Sequence, residues 1–453
     1  MSVKQLTIFH TNDIHSCFDN WSQIVSYIKR HRDEDTLYVD LGDHTDRSNP
    51  LTEATYGKGN IELLNEAKVD YVTVGNNEGI TFSKEQLGCL YEEATFPVVV
   101  ANVFDQNDGR PDWMHPYIIH TQKDGLKIGI IGLTAPFYRF YEQLGWKIQS
   151  PQDLLAHFLP IVKKEADIVV FMSHLGLQKD EEIAEQFPEI DVILGAHTHH
   201  VLPTGKWCGT TLIAQTGKHG LFLGQVTIDY DVETKQVLEK RAALVDVKDK
   251  EEDVQTNNIL DRMASKAKEV LSEPVAVISK PLVIEWQKQT DFGQILCDAV
   301  TEWCGQKIGM LNAGVILDSL ETGEVTKADI HRICPHPINP CVLEVTGEQL
   351  EASIKKALTE DMTHLELKGF GFRGKVLGKM LFTGITIEEN DDSLSIFILN
   401  EPLKKDKLYS LATLDMYTFG YLFPELTAAH KKKYFMPEFL RDVLAKKLSD
   451  QLS

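Results

Sequence analysis

The sequence predicts an α/β chain built as two successive domains, and three observations carry that prediction. Short β-rich runs alternate with amphipathic helical runs over roughly the first 250 residues. Several β-rich runs, such as Ile168-Val169-Val170-Phe171, are apolar throughout, as strands covered on both faces must be. After residue 248 the composition shifts to a charge run, Asp249-Lys250-Glu251-Glu252-Asp253, and a second α/β stretch follows. The expected boundaries are a sandwich-type domain over 1–248, an interdomain helix and linker over 249–274, and a second domain over 275–453.

Taken in order, the first domain should open with a strand at Gln5–Thr11, a helix at Trp21–Arg32 and a strand at Thr36–Leu41. A helix at Asn60–Ala67, a strand at Tyr71–Gly75 and a helix at Lys84–Glu93 follow. Ser83 with Gln86 three residues on forms a capping box for the last of these. Strands are expected at Pro97–Asn102 and Lys127–Leu133, then a helix at Pro151–Glu165, where Ser150-Pro151 puts proline at the first helical position. A strand at Asp167–Ser173, a helix at Glu181–Phe187 and a strand at Asp191–Ala196 complete the alternation. Asn258–Leu271 reads as one helix, and Pro274 discourages its continuation.

Composition narrows the function. With 453 residues, 43% hydrophobic and 25% charged, the chain is an ordinary globular one, neither collagen-like, disordered nor a disulfide scaffold. No apolar run approaches the ~20 residues of a membrane span. A net charge of −21 argues against nucleic acid or an anionic membrane as partner. A small phosphorylated substrate stays open, because a bound metal can reverse the local field. The seven cysteines contain no CxxC pair, and the opening Met1-Ser2-Val3-Lys4 runs straight into a strand without a signal-peptide pattern. These features predict a cytoplasmic protein with reduced thiols.

Five segments place metal-capable side chains just beyond a strand: Asp13-Ile14-His15, Gly42-Asp43, Gly75-Asn76, Ser173-His174 and Gly195-Ala196-His197-Thr198-His199. Ligands of α/β sheets collect outside the carboxyl ends of the strands. Alternate residues of extended chain point to one side, so Asp13 with His15, and His197 with His199, can each face one ion. Imidazole, carboxylate and amide donors suit Mn, Zn, Fe, Ni or Co and not an all-oxygen calcium cage. Seven groups, one a carboxylate able to bridge, are too many for one ion and about right for two. Two ions ~3.5–4 Å apart would clamp a phosphoryl group and lower the pKa of a water into a nucleophile.

The order D-x-H, G-D, G-N, S-H, G-H-x-H resembles that of the calcineurin-like metallophosphoesterases. Phe9-His10-Thr11-Asn12-Asp13-Ile14-His15 is similar to the 5′-nucleotidase/UDP-sugar hydrolase branch, as are Leu311-Asn312-Ala313-Gly314, Val345-Thr346-Gly347-Glu348-Gln349-Leu350 and Tyr409-Ser410-Leu411-Ala412-Thr413. The resemblance implies a four-layer αββα sandwich followed by a 5′-nucleotidase-type C-terminal domain. It also implies one ion on Asp13, His15, Asp43 and His199, and a second on Asp43, Asn76, His174 and His197, with Asp43 bridging and metal-bound hydroxide attacking a nucleotide-like phosphate ester.

The chain departs from that family in instructive places. Asn77 stands where the family has a catalytic His, and an amide cannot titrate near neutral pH. His44, beside Asp43, is the candidate substitute donor. Leu317 replaces an Arg that binds the substrate's charged end. His336, in Pro335-His336-Pro337-Ile338-Asn339, stands at a position usually held by an aromatic face for the base. Asn312 and Gly314 keep family positions, and Phe419 or Tyr421 is available to stack on a base. The loop Gly217-Lys218-His219-Gly220 follows a metal-motif strand and is placed to approach the site. Two functions follow: a dinuclear phosphohydrolase of nucleotides or nucleotide-like esters (cyclic phosphodiesters and nucleotide sugars included), or a catalytically weakened, metal-retaining protein that binds a phosphorylated ligand or partner.

Overall fold

The computed structural model describes residues 2–390, 393–420 and 422–452, and the chain divides into two compact units, Met1–Ala267 and Lys268–Ser453. The first unit is built on two sheets. One has seven strands in the order Val237–Asp246, Phe222–Asp231, Val3–Thr11, Thr36–Asp40, Tyr71–Val72, Val98–Val99, Met114–His115. The other has six, in the order Lys206–Cys208, Thr211–Ala214, Val192–Gly195, Ile168–His174, Lys127–Thr134, Tyr117–Thr121. Strands that carry site loops pair in parallel, as Thr7 with Thr36 and Ser173 with Gly195 do, so their carboxyl ends gather on one edge.

Period-two alternation assigns each side chain a layer. Leu6, Ile8, Val39, Ile130, Val170, Met172 and Leu194 fill the space between the sheets. The intervening Phe9 turns the other way and meets Tyr27 of the helix Trp21–His31 edge-on, with ring centroids 6.0 Å apart. On the far side, Ile131, Val169, Phe171 and Ile193 pack with Leu154, Leu155, Leu159 and Val162 of the helix Pro151–Glu165. Helix, sheet, sheet, helix is the four-layer sandwich that the family resemblance implies.

Local signals are realised where they were read. Ser83 accepts from the Gln86 N–H in a closed capping box, and Ser150 caps Pro151–Glu165 through the Asp153 N–H. The expected helix Asn258–Leu271 starts earlier, at Val254, because the Asp253 carboxylate accepts from the N–H and hydroxyl of Thr256, both at 2.9 Å. The hairpin Phe222–Asp231/Val237–Asp246 lies outside the strands expected from sequence and completes the larger sheet.

The second unit has a five-stranded sheet ordered Met380–Thr383, Ile308–Asn312, Leu408–Leu414, Pro340–Thr346, Lys431–Tyr434. The helices Asp291–Trp303, Gly347–Ala357 and Leu440–Leu452 accompany it, and the strands Ile385–Asn390, Ser393–Ile398 and Glu401–Pro402 form a separate small sheet. Among the described residues no helix is long and apolar enough to cross a membrane.

Candidate metal centre

The site is made of loops that leave the carboxyl edge of the first unit's strands. Asp13, His15, Asp43, His197 and His199 all have positive φ, from 50° to 72°. That left-handed region costs a non-glycine residue roughly 1–2 kcal/mol, so the surrounding contacts must fix it. The Asp13 N–H donates to the Gly42 carbonyl at 3.1 Å and the His15 N–H to the Asp43 carbonyl at 2.8 Å. Gly42 and Gly75 interlock: a Cβ on Gly42 would lie 2.3 Å from the Gly75 nitrogen, and one on Gly75 2.2 Å from the Asp43 nitrogen. Glu78 fastens both loops, its carboxylate accepting from the backbone N–H groups of Asp43, Gly75 and Thr45 and from the Thr45 hydroxyl.

All seven predicted ligands meet there. Ligand atoms of Asp13, His15 and His199 lie within 4.8 Å of one another, and so do those of Asp13, Asp43 and His174. Asp43 divides its carboxylate: Oδ2 is 3.7 Å from His15 Nε2, while Oδ1 is 3.4 Å from His174 Nε2. His199 Nε2 is 3.4 Å from Asp13 Oδ1 and 3.2 Å from His15 Nε2. Asn76 Oδ1 closes the other end, 3.2 Å from His174 Nε2 and 2.7 Å from His197 Nδ1. His174 Nδ1 is 2.7 Å from the Leu41 carbonyl, so it carries the proton it donates and leaves Nε2 with a lone pair toward the cluster. Oxygen and imidazole nitrogen converging in this way fit divalent transition ions.

Electrostatics tell the same story. Burial alone would raise the Asp13 carboxyl, but His199, His174 and His15 outweigh it and hold it well below the usual range. Burial would lower His174, yet Asp43 and Asp13 push it up to about 10. The two buried carboxylates thus make this pocket a favourable seat for positive charge.

A polar scaffold supports the ligands that sequence reasoning did not reach. Asn12 donates to Asp13 Oδ2 at 2.7 Å and to the Gly217 carbonyl at 2.7 Å, and accepts from Thr216. Asp180 joins the Ser173 hydroxyl to the Gln215 amide beneath Gly195, where a Cβ would sit 2.3 Å from its Oδ2. Asp46 lies 3.5 Å from His15 Nδ1. Asn12, Gln215 and Thr216 closely follow strands but are not among the seven residues singled out as ligands, whereas Asp180 lies in the helix Leu177–Gln186 and Asp46 in a loop, where strand-end position gives no signal.

The other candidates land elsewhere. Asn77 is in the site, but its amide is occupied, donating to His15 Nδ1 at 2.9 Å and to the Thr45 carbonyl at 3.0 Å. His44 is buried away from the ligands, edge-on to Trp21 at 4.7 Å with Asn60 against Nδ1, and burial pushes it down to about 3. In the second unit Asn312 is spent internally on the Leu377 carbonyl and the Tyr417 hydroxyl. A Cβ on Gly314 would strike the Val376 carbonyl at 2.0 Å. His336 is stacked on Phe372 and fully hydrogen-bonded, Nε2 donating to the Val315 carbonyl and Nδ1 accepting from the Arg373 N–H. These three residues thus have a structural role within the second unit. Phe419, partly exposed, stacks on Phe370 at 5.7 Å, and Tyr421 lies outside the described residues.

A family model for calcineurin-like phosphoesterases matches residues 6–201, and one for the 5′-nucleotidase C-terminal domain matches residues 274–421. The metallophosphoesterase YunD of Bacillus subtilis (strain 168) is 43% identical over 459 residues, spanning 98% of this chain and 99% of its own. Among solved structures, a putative 5′-nucleotidase from Staphylococcus aureus superposes with a TM-score of 0.72 at 17% identity, over 99% of this chain and 97% of its own. The NAD nucleotidase of Haemophilus influenzae gives 0.70 at 16% identity, over 100% and 97%. At those identities the likeness is one of fold.

Proposed function

Since the chain belongs to the calcineurin-like phosphoesterases that carry a 5′-nucleotidase-type C-terminal domain, we propose that it is a dinuclear phosphohydrolase of nucleotide or nucleotide-like phosphate esters. The observation that carries the reading is the divided Asp43 carboxylate, one oxygen toward His15 and the other toward His174. Asp13, His15, Asp43 and His199 would hold one ion, and Asp43, Asn76, His174 and His197 the other. Two such ions supply Lewis-acid activation of water and neutralise charge on phosphoryl oxygens. The chain's own residues fix that geometry: Glu78 anchors the two loops, Leu41 orients His174, and Asn12 braces Asp13.

Neither His44 nor Asn77 serves as a leaving-group acid in this reading, one being buried in the core and the other spent on His15 and Thr45. Acid–base groups contribute typically 10²–10⁴-fold, so esters whose leaving groups need no protonation should be favoured. In the second unit the polar atoms of Asn312 and His336 are used within the fold, and Phe419, stacked on Phe370, is a described aromatic face for a base. The seven unpaired cysteines suit a reducing, cytoplasmic setting. The occupied Asn77 amide also favours a second reading, a weakened protein that binds a phosphorylated ligand or partner.

Phosphate release over nucleoside monophosphates, a nucleotide sugar, a cyclic nucleotide and bis(p-nitrophenyl) phosphate separates the two. The hydrolase reading expects the p-nitrophenyl ester to lead, and Asn77→His to raise turnover of the poorer leaving groups roughly 10²-fold. No turnover by a chain loaded with Mn or Zn favours the binding protein.

A further inference from the structure

Beside the ligand cluster stands a histidine that the ligand set does not use. His219 lies in a turn where Gly217, His219 and Gly220 have φ of 85°, 61° and 60°. A histidine there is strained, and strain persists only where neighbours over-determine it. They do: the His219 N–H donates to the Asp13 carbonyl at 2.8 Å, and the Gly217 N–H to the His200 carbonyl at 2.9 Å. Asn12 and Asn20 clamp the carbonyls of Gly217 and Gly220 at 2.7 and 3.2 Å. The Asn12 amide that braces Asp13 therefore also fixes this turn.

The turn presents the imidazole to the site. Its ring stands edge-on to that of His15, 85° between planes and 6.0 Å between centroids. The side chain is only half-buried, and neither ring nitrogen hydrogen-bonds to a described residue. Lys218 beside it is exposed and pairs with no described carboxylate. The contrast with Asn77 is direct: both amide hydrogens of Asn77 are used, whereas His219 offers a free N–H at the same ligand, His15.

We propose that His219 is a catalytic residue that hydrogen-bonds a non-bridging phosphoryl oxygen of the substrate, the contact Asn77 is not free to make. The proposal rests on the phosphohydrolase reading and goes beyond it in naming the donor. It asks for no proton transfer, only a positioned N–H toward oxygen that gains charge in the transition state. A phosphate monoester or diester oxygen meets that requirement, and so does inorganic phosphate.

Two variants of the full, metal-loaded chain test it. His219→Phe keeps the ring against His15 and removes both nitrogens; His219→Asn tolerates the left-handed backbone and keeps an N–H. Metal content is measured by elemental analysis, inorganic phosphate binding by calorimetry, and kcat with KM on the best substrate of the panel. His219→Phe should keep its metals, bind phosphate about tenfold more weakly and lose roughly 10- to 100-fold in kcat/KM. His219→Asn should recover most of both losses. Unchanged phosphate binding and turnover in His219→Phe would overturn the contact while leaving the hydrolase intact. Loss of metal from His219→Phe would overturn it too, making His219 a prop for His15. A parent chain that neither binds phosphate nor turns over any ester would overturn the hydrolase reading itself.

Discussion

Asp43 and His44 are neighbours in sequence and opposites in environment. With φ at 51°, Asp43 turns its carboxylate into the cluster while His44 is carried against Trp21 and Asn60. Nothing in the residue types distinguishes these outcomes, since the division depends on a left-handed backbone that strand alternation does not foresee. The cluster of candidate ligands was legible because each lies at or beyond the end of a β-rich run, a pattern that survives in one dimension. His44 has a measurable consequence. Its native pKa near 3 lies below the unfolded value of roughly 6.5, so between those values the unfolded chain binds a proton that the folded chain does not. Its contribution to stability is complete above pH 6.5 and is lost as pH falls toward 3. Denaturant unfolding of His44→Gln at pH 6.5 and pH 5 should show about 1–2 kcal/mol less loss on acidification than the parent. Turnover per loaded chain should be unchanged. Equal acid sensitivity would mean that His44 charges freely in the native state.

At the scale of elements, the helix Val254–Leu271 shows how a charge run hides a cap. Asp249-Lys250-Glu251-Glu252-Asp253 reads as a solvated segment, yet Asp253 accepts from Thr256 and from Lys29, and its N–H bonds the Ser22 hydroxyl. Asp253→Ala should destabilise the protein by about 1 kcal/mol, because an N-cap acceptor and an ion pair go together. Thermal unfolding against Glu252→Ala as control would read this, and an indistinguishable pair would refute the cap. The second unit teaches the converse. Asn312 and Gly314 match family positions by letter and His336 departs from its own, but the polar atoms of Asn312 and His336 alike are used on Leu377, Tyr417, Val315 and Arg373. A motif displays residue identity and is silent on whether a polar atom already has a partner inside.

For the whole molecule, a chain of net charge −21 must still attract a phosphorylated ligand. Two divalent ions set against the buried carboxylates of Asp13 and Asp43 would reverse the sign locally, and Lys218 adds an exposed cation beside the site. An alternating α/β domain and a cluster of metal-capable residues at the carboxyl edge of its strands were legible from the order of strands and motifs, while the four-layer arrangement came from the resemblance to the metallophosphoesterases. The internal roles of Asn312 and His336 were not legible, because they depend on how loops of the second unit fill their own interior. The central claim is that two ions share Asp43 and that phosphoester hydrolysis depends on them. Metal stoichiometry and phosphate release, measured together on the parent and on Asp43→Asn, test it most directly. Two ions per parent chain, with turnover that Asp43→Asn abolishes alongside metal binding, is the expected result. Turnover surviving in Asp43→Asn, or full turnover with a single ion, would contradict it.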